Sequence, residues 1–443
     1  MSTIILRLLL VLLSLGLSGC ITTSKPDLKR LYAREVQNTE QPPIILIHGL
    51  MGSTLVDKTT GVEFYPKSAG AIALSDYQDL MISPVSTAGD NLVPGKIVDA
   101  IAGIDFYGAL IKVLENDGQF VSTMPGQPVG SQKRRYYTFL YDWRRDNVIA
   151  VRQLHVLIEQ IRKDYNDPNL RVDIIAHSNG GLLTNYYLRY GPNDVLDQKK
   201  FVPWSEGPKR VRRVVLLGTP NLGSVTSVER LVRGFRLGLR LIPVEVLTSF
   251  ATPFQALPSP ITQSVLDTHG NPSKINIFDP EMWKQNQWSV YSPELLKMLE
   301  KQTGSPVQAA TRQAILQSVF SEHLQRAERF QSALTTPFNS DGIRIAAFGG
   351  DCKLTANQAV LDEVDGKPFL AFRAKDVVNK VPGIDYDYLM MAPGDGLVTR
   401  DSQEANQYSF LPLRQSFFLC EQHEFLVNNP YFQNNLLYFL MAR

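Results

Sequence analysis

The sequence predicts an α/β fold in which a mainly parallel sheet is covered by helices on both faces. Three observations carry this. Short apolar runs rich in β-branched residues, at Pro43–His48, Tyr136–Leu140, Val172–Ala176 and Arg213–Gly218, have the length and composition of strands buried on both faces. Between them stand segments of helical period: Phe106–Asn116, Val148–Tyr165 (Val151, Leu154, Ile158 and Ile161) and Gly181–Tyr190. Strands that alternate with helices pair in parallel, because each crossover packs its helix back onto the sheet. The 443 residues suffice for a large core, and a formal net charge of +2 points to neither nucleic acid nor an acidic partner.

Taken in chain order, the first segment is a leader. Arg7 precedes LLLVLLSLGLSGC, too short to span a bilayer comfortably and ending in small residues. Leu17-Ser18-Gly19-Cys20 resembles a bacterial lipobox, which implies cleavage after residue 19 and lipidation of Cys20. Residues 20–41 are polar and read as a tether. The expected product is an exported, membrane-anchored lipoprotein at the outer membrane or facing the periplasm. Without Cys20, Cys352 and Cys420 remain, and in an exported chain they form either one disulfide or two free thiols.

The folded part divides into 42–224 (first part of the core), 225–340 (an insertion) and 341–443 (second part of the core). Thr54–Pro66 turns at Thr59-Thr60-Gly61, a hairpin signal. From Ser224 to about Asn339 the chain shows helices, prolines and loops but no strong strand, and strand pattern resumes at Ile343–Phe348. A long, largely helical insertion before the last strands is expected to form a cap or lid. Within it, Glu229–Ile242 reads as a basic amphipathic helix. Arg230, Arg233, Arg236 and Arg240 share one sector, suited to lipid phosphates at a membrane interface, although Gly234 and Gly238 weaken the helix.

The chemistry starts at Arg171–Gly181, RVDIIAHSNGG. A buried strand, a tight turn of small residues and a helix are the setting in which a serine hydroxyl is held exposed above a sheet. The turn reads A-x-S-x-G, with Ala176 at the first small position and Ser178 as candidate nucleophile. Serine needs a base, and the base an orienting acid, in the chain order serine, acid, histidine for an α/β-hydrolase. Of the six histidines, His48 and His155 precede Ser178, His177 adjoins it, and His269 and His323 fall in the insertion. That leaves His423 as the base. Two glycine-rich turns offer the acid, Asp351 in Phe348-Gly-Gly-Asp and Asp395 in Pro393-Gly-Asp-Gly-Leu-Val, and spacing alone leaves both open. The oxyanion requires two N–H donors, expected from Asn179 and from Leu50 in His48-Gly49-Leu50-Met51-Gly52.

In order, PPIILIHGLMGSTL, FLYDWR, AHSNGG, LLGTPNLGS, GDGLV and a late histidine resemble the lecithin:cholesterol acyltransferase family, which includes phospholipases A and phospholipid:diacylglycerol acyltransferases. The resemblance runs from Pro42 to the carboxy terminus and is weakest in the insertion. It implies Asp395 as the acid, Ser178 as the residue that forms an acyl-enzyme, and Leu50 and Asn179 as oxyanion donors. It also implies that Tyr141–Arg144 braces the site. The cysteines of the amino-terminal loop found in some animal members are missing, so lipid selectivity ascribed to that loop does not carry over. The expected activity is cleavage of a lipid acyl ester, with a phospholipid as donor and with water or a lipid alcohol as acceptor. It needs no metal or organic cofactor, and its partners are the lipid substrate and the membrane surface. A serine esterase or amidase on a non-lipid substrate, or a binding module without catalysis, would fit the same motifs.

Overall fold

In the computed structural model, which describes residues 25–66, 75, 77–83, 90–101, 103–131, 133–237 and 240–442, the apolar runs form one sheet of seven strands. The leader and Cys20 lie outside the described residues. In chain order the sheet strands are β1 (Ile44–Ile47), β2 (Val121–Ser122), β3 (Arg135–Phe139), β4 (Val172–His177), β5 (Val211–Leu217), β6 (Arg344–Gly350) and β7 (Leu413–Leu419). They lie in the order β7-β6-β5-β4-β1-β3-β2, and every neighbouring pair is parallel. The helices used below are α1 (Asn147–Asp164), α2 (Asn179–Tyr190), α3 (Val225–Arg233), α4 (Pro306–Leu334) and α5 (Pro430–Met441).

The period of two along each strand divides the core between two faces. Ile45, Ile47, Ile174, Ala176, Val214 and Leu216 pack on one side with Val151 and Leu154 of α1 and Leu182 of α2. Ile44, Leu46, Ile175, Val215 and Leu217 pack on the other with Leu436, Leu437 and Leu440 of α5. Both faces are buried, so these strands are continuous apolar runs and not alternating ones. This is the α/β-hydrolase fold that the sequence predicts.

Between β5 and β6 the chain leaves the sheet and is mainly helical. It builds a separate core in which Phe254, Trp283 and Phe320 meet, the last two edge to face at 4.9 Å. Two details differ from the sequence reading. Short strands occur in this insertion, a hairpin of Phe235–Leu237 with Arg240–Ile242 and the strand Val265–Leu266. In addition, part of the segment assigned to the second half of the core belongs with the insertion. Val265–Leu266 pairs with Ala359–Val364, which pairs in turn with Lys367–Ala371. Ala356, Ala359, Leu370 and Phe372 pack in the same cluster as Val225, Leu231 and Trp283. The signal was present as Asp365-Gly366 between alternating runs, and both residues have positive φ (50° and 74°), as a tight hairpin turn requires.

Cys352 and Cys420 are joined, with Cα atoms 4.9 Å apart. The bond links the chain just beyond β6 to the chain just beyond β7 across 68 residues of sequence. In the chain-entropy account, closing a loop of that size contributes about 4 kcal/mol through the unfolded state, and observed values run from about 2 to 5. The double substitution Cys352→Ala/Cys420→Ala is therefore expected to lower unfolding stability by about 2–4 kcal/mol in urea titrations. An unchanged midpoint would show that the pairing contributes nothing.

Candidate active site

The turn after β4 places Ser178 at φ 54°, ψ −121°, a conformation that is strained for a residue with a side chain. The Ser178 N–H donates to Leu217 O at 2.8 Å, so β5 holds the turn from beside it. Asn179 then opens α2. Ser178 occupies the N-cap position without a side-chain capping bond, so its hydroxyl is left free for another partner. That partner is His423: Oγ and Nε2 are 2.9 Å apart.

His423 sits just after β7. Its Nδ1 donates to Asp395 Oδ2 at 2.7 Å, and its backbone N–H donates to Asp395 O at 3.0 Å. The other carboxylate oxygen of Asp395 accepts the N–H groups of Leu397 (2.9 Å) and Val398 (2.7 Å), which fixes its rotamer. Burial alone would lower the pKa of His423. The Asp395 charge and hydrogen bond, with Glu424 adding to them, outweigh burial and hold it above the ordinary value of 6.5. Asp351, the other acid that spacing allowed, accepts from Arg400 at 3.1 Å instead. Gly218 follows β5 at φ 58°, and a Cβ there would lie 3.1 Å from His423 Nδ1 and 3.2 Å from Asp395 Oδ2. The glycine thus leaves room for the histidine–aspartate pair.

The backbone N–H of Asn179 lies in the first turn of α2, where a helix supplies no internal acceptor. The Leu50 N–H has no backbone acceptor among the described residues. Both residues line the same slot as Ser178. The Asn179 side chain is locked by reciprocal amide bonds to Asn147 (3.0 and 2.9 Å) and by donation to the Tyr141 hydroxyl (3.1 Å). Tyr141 donates in turn to His48 O at 3.0 Å and stacks on the His48 ring at 4.2 Å, while Trp143 Nε1 donates to Ser53 O at 3.0 Å. The segment Tyr141–Arg144 thus ties the loop after β1 to the start of α2.

A second layer went unread in the sequence. The Gly49 N–H donates to the Tyr107 hydroxyl at 2.9 Å, Tyr107 O–H donates to His177 Nδ1 at 2.7 Å, and His177 Nε2–H donates to His423 O at 3.2 Å. This order fixes the tautomer of His177. Burial, with the His423 charge beside it, pushes the His177 pKa down to about 3, so it remains a neutral link. The sequence sets His177 aside because adjacent side chains on a sharp turn point apart. Its role is to join the main chains that carry Gly49 and His423. Tyr107 gave no signal, since an aromatic residue at a helix start reads as core.

Ser178 opens on two cavities. One is a narrow slot of about 60 Å³ among Leu247, Pro253, Ala256 and Val398, and the other a cleft of about 440 Å³ among Ile101, Ile104, Phe106, Leu237 and Phe425. Leu50, Ser178, Arg230, Phe235, Leu397 and His423 line both. The basic helix expected over Glu229–Ile242 does not form as one element. α3 ends at Arg233, Gly234 turns at φ 82°, where a Cβ would sit 2.7 Å from Ile242 O, and a hairpin follows. The four arginines therefore share no helical face. Arg230 enters the wall of the site, Arg233 pairs with Asp376 (3.2 Å) and Glu229 (3.6 Å), Arg236 lines the cleft, and Arg240 is exposed on the hairpin. Among the described residues, no group of three or more His, Cys, Asp or Glu side chains is placed to hold a metal ion.

The model of the lecithin:cholesterol acyltransferase family matches residues 128–300, so the resemblance carried by the motifs holds over a segment that includes Ser178 and stops before Asp395 and His423. No curated protein sequence matches the chain significantly. Among solved structures, a chain of the Tle4–Tli4 complex is similar at 16% identity and a TM-score of 0.57, covering 91% of this chain and 98% of that one. Staphylococcus hyicus lipase (12% identity, 94% and 96% covered, TM-score 0.37) and lipase 1 from Pelosinus fermentans (11%, 91% and 99%, 0.35) are more distant.

Removing the Tyr107 hydroxyl strands a buried N–H and a buried ring nitrogen at once. Tyr107→Phe is expected to lower stability by about 1–3 kcal/mol, measured by chemical unfolding. An unchanged midpoint would take the hydroxyl out of this network.

Proposed function

We propose that the protein is a membrane-tethered serine lipid acyl hydrolase or acyltransferase that takes an acyl group from a phospholipid. The observation that carries this reading is the row of hydrogen bonds Ser178 Oγ–His423 Nε2 and His423 Nδ1–Asp395 Oδ2, at 2.9 and 2.7 Å, opening on cavities with largely apolar walls. His423 Nε2 takes the hydroxyl proton as Ser178 Oγ bonds to the ester carbonyl carbon. Asp395 stabilises the imidazolium, and the N–H groups of Leu50 and Asn179 receive the oxyanion. The proton then passes to the leaving alcohol and an acyl-enzyme remains. Water or a lipid alcohol, deprotonated by the same imidazole, releases the acyl group. Apolar cavity walls and the family match favour a lipid ester over a soluble one.

The sign of the pH dependence follows from His423. Only the neutral imidazole accepts the serine proton, and its pKa is held above 6.5. kcat/KM for a long-chain ester should therefore rise with pH through a midpoint above 6.5. Asp395→Asn removes the charge that raises this pKa, so the midpoint should move down while kcat falls by about 10⁴. Ser178→Ala should abolish both ester cleavage and labelling by a fluorophosphonate. A folded wild type that neither labels nor cleaves would end the enzyme reading. Free fatty acid as the sole product from mixed lipid vesicles would assign hydrolysis, and a new ester would assign transfer.

The tether reading rests on Leu17-Ser18-Gly19-Cys20. No helix among the described residues is long and apolar enough to cross a membrane, which is compatible with anchoring by a lipid on Cys20. Metabolic labelling with a radioactive fatty acid should mark the wild type and not Cys20→Ala; a wild type that takes up no label would contradict lipid anchoring.

A further inference from the structure

Arg230 is the cation common to both cavities at Ser178. Among the described residues its guanidinium makes neither a hydrogen bond nor an ion pair, and it stacks on the Phe235 ring, 4.1 Å from the centroid. Its neighbour Glu229 is engaged elsewhere, with Arg373 at 3.3 Å and Arg233 at 3.6 Å, and Glu424 at the cleft edge is solvent-exposed. Arg230 is half-buried in the cavity wall, and burial pushes its pKa down to about 10 against the pull of Glu424 and Glu229. A guanidinium stacked by its face keeps its in-plane N–H donors for a ligand, and that fork matches the oxygens of a phosphate.

We propose that Arg230 binds the phosphate of a glycerophospholipid acyl donor and so determines which lipid the site accepts. This rests on the reading of Ser178 as the nucleophile. The phosphate then lies at the junction of the two cavities, with the acyl ester at Ser178 and the headgroup towards the polar edge of the cleft at Gln422 and Glu424. A coupling to the chemistry follows. The positive charge of Arg230 is one of the influences that disfavour protonated His423. A bound phosphate would neutralise it and so favour the imidazolium that forms as Ser178 attacks.

The test compares wild type, Arg230→Gln and Arg230→Lys on a phosphatidylethanolamine and a diacylglycerol of identical acyl chains, each in neutral-detergent micelles. The ratio of kcat/KM for phospholipid over diacylglycerol is expected to fall tenfold or more in Arg230→Gln and to recover in part in Arg230→Lys. An unchanged ratio would overturn the proposal, as would a wild type that cleaves diacylglycerol but not the phospholipid; in that case the serine-hydrolase reading stands. A wild type that cleaves neither and does not label removes both readings. Should Arg230→Gln fail to fold, inhibition of wild-type ester cleavage decides the matter. Dodecyl phosphate is expected to inhibit more strongly than dodecanol, and equal inhibition would overturn the assignment.

Discussion

The hydrogen bond between Ser178 Oγ and His423 Nε2 joins residues 245 apart in sequence, and the all-parallel sheet is what makes it possible. In a parallel sheet every strand ends on the same edge, so loops far apart in the chain emerge side by side. The ends of β4, β5, β6 and β7 are adjacent in space, and each contributes. β4 delivers Ser178, β5 leads to Gly218 against the histidine–aspartate pair, and β7 leads to His423. β6 leads to Cys352, bonded to Cys420 three residues before that histidine. An antiparallel strand among them would send one of these loops to the opposite edge.

Convergence brings polar groups into a buried place, and each is handled in a different way. His48 and His177 stay neutral, with pKa values pushed to about 4 and about 3 by burial, and satisfy both ring nitrogens within the protein. His423 has the opposite fate because Asp395 faces it, so the same desolvation is outweighed by one charge at 2.7 Å. Two buried imidazoles with centroids 5.1 Å apart are therefore assigned different roles by their partners alone. His177 donates to the main-chain carbonyl of His423 and, being neutral, adds no charge that would compete with the influence of Asp395.

Much of this was legible in the sequence, and the omissions have physical reasons. The strands of the sheet centre were readable because burial on both faces leaves unbroken apolar runs, and Ser178 because its turn tolerates few residue types. His423 followed from chain order, whereas the choice of Asp395 over Asp351 needed the family resemblance, since two glycine-rich turns look alike until Arg400 is seen to take one of them. The helix predicted over Glu229–Ile242 failed at Gly234. Periodicity reports which residues share a face if the chain stays helical, and it does not weigh a glycine that lets the chain turn back. Tyr107 and His177 could not be found, because their significance lies in contacts across 58 and 246 residues.

The cap is no independent flap. Its core draws on the insertion after β5 and on the excursion Lys353–Ala371 after β6, and both grip the turn that carries Asp395. Thr355 Oγ1 accepts the Gly396 N–H at 2.9 Å, and Ser224 Oγ donates to Leu397 O at 2.5 Å. The same Ser224 oxygen caps α3 by accepting the Thr226 N–H at 3.2 Å. Arg230 thus stands on a helix whose first hydrogen bond is shared with the aspartate loop. A displacement of α3 that moved Arg230 would pull on the segment holding Asp395 against His423. The helix that carries Arg230 and the loop that holds Asp395 against His423 are therefore tied together by one serine hydroxyl.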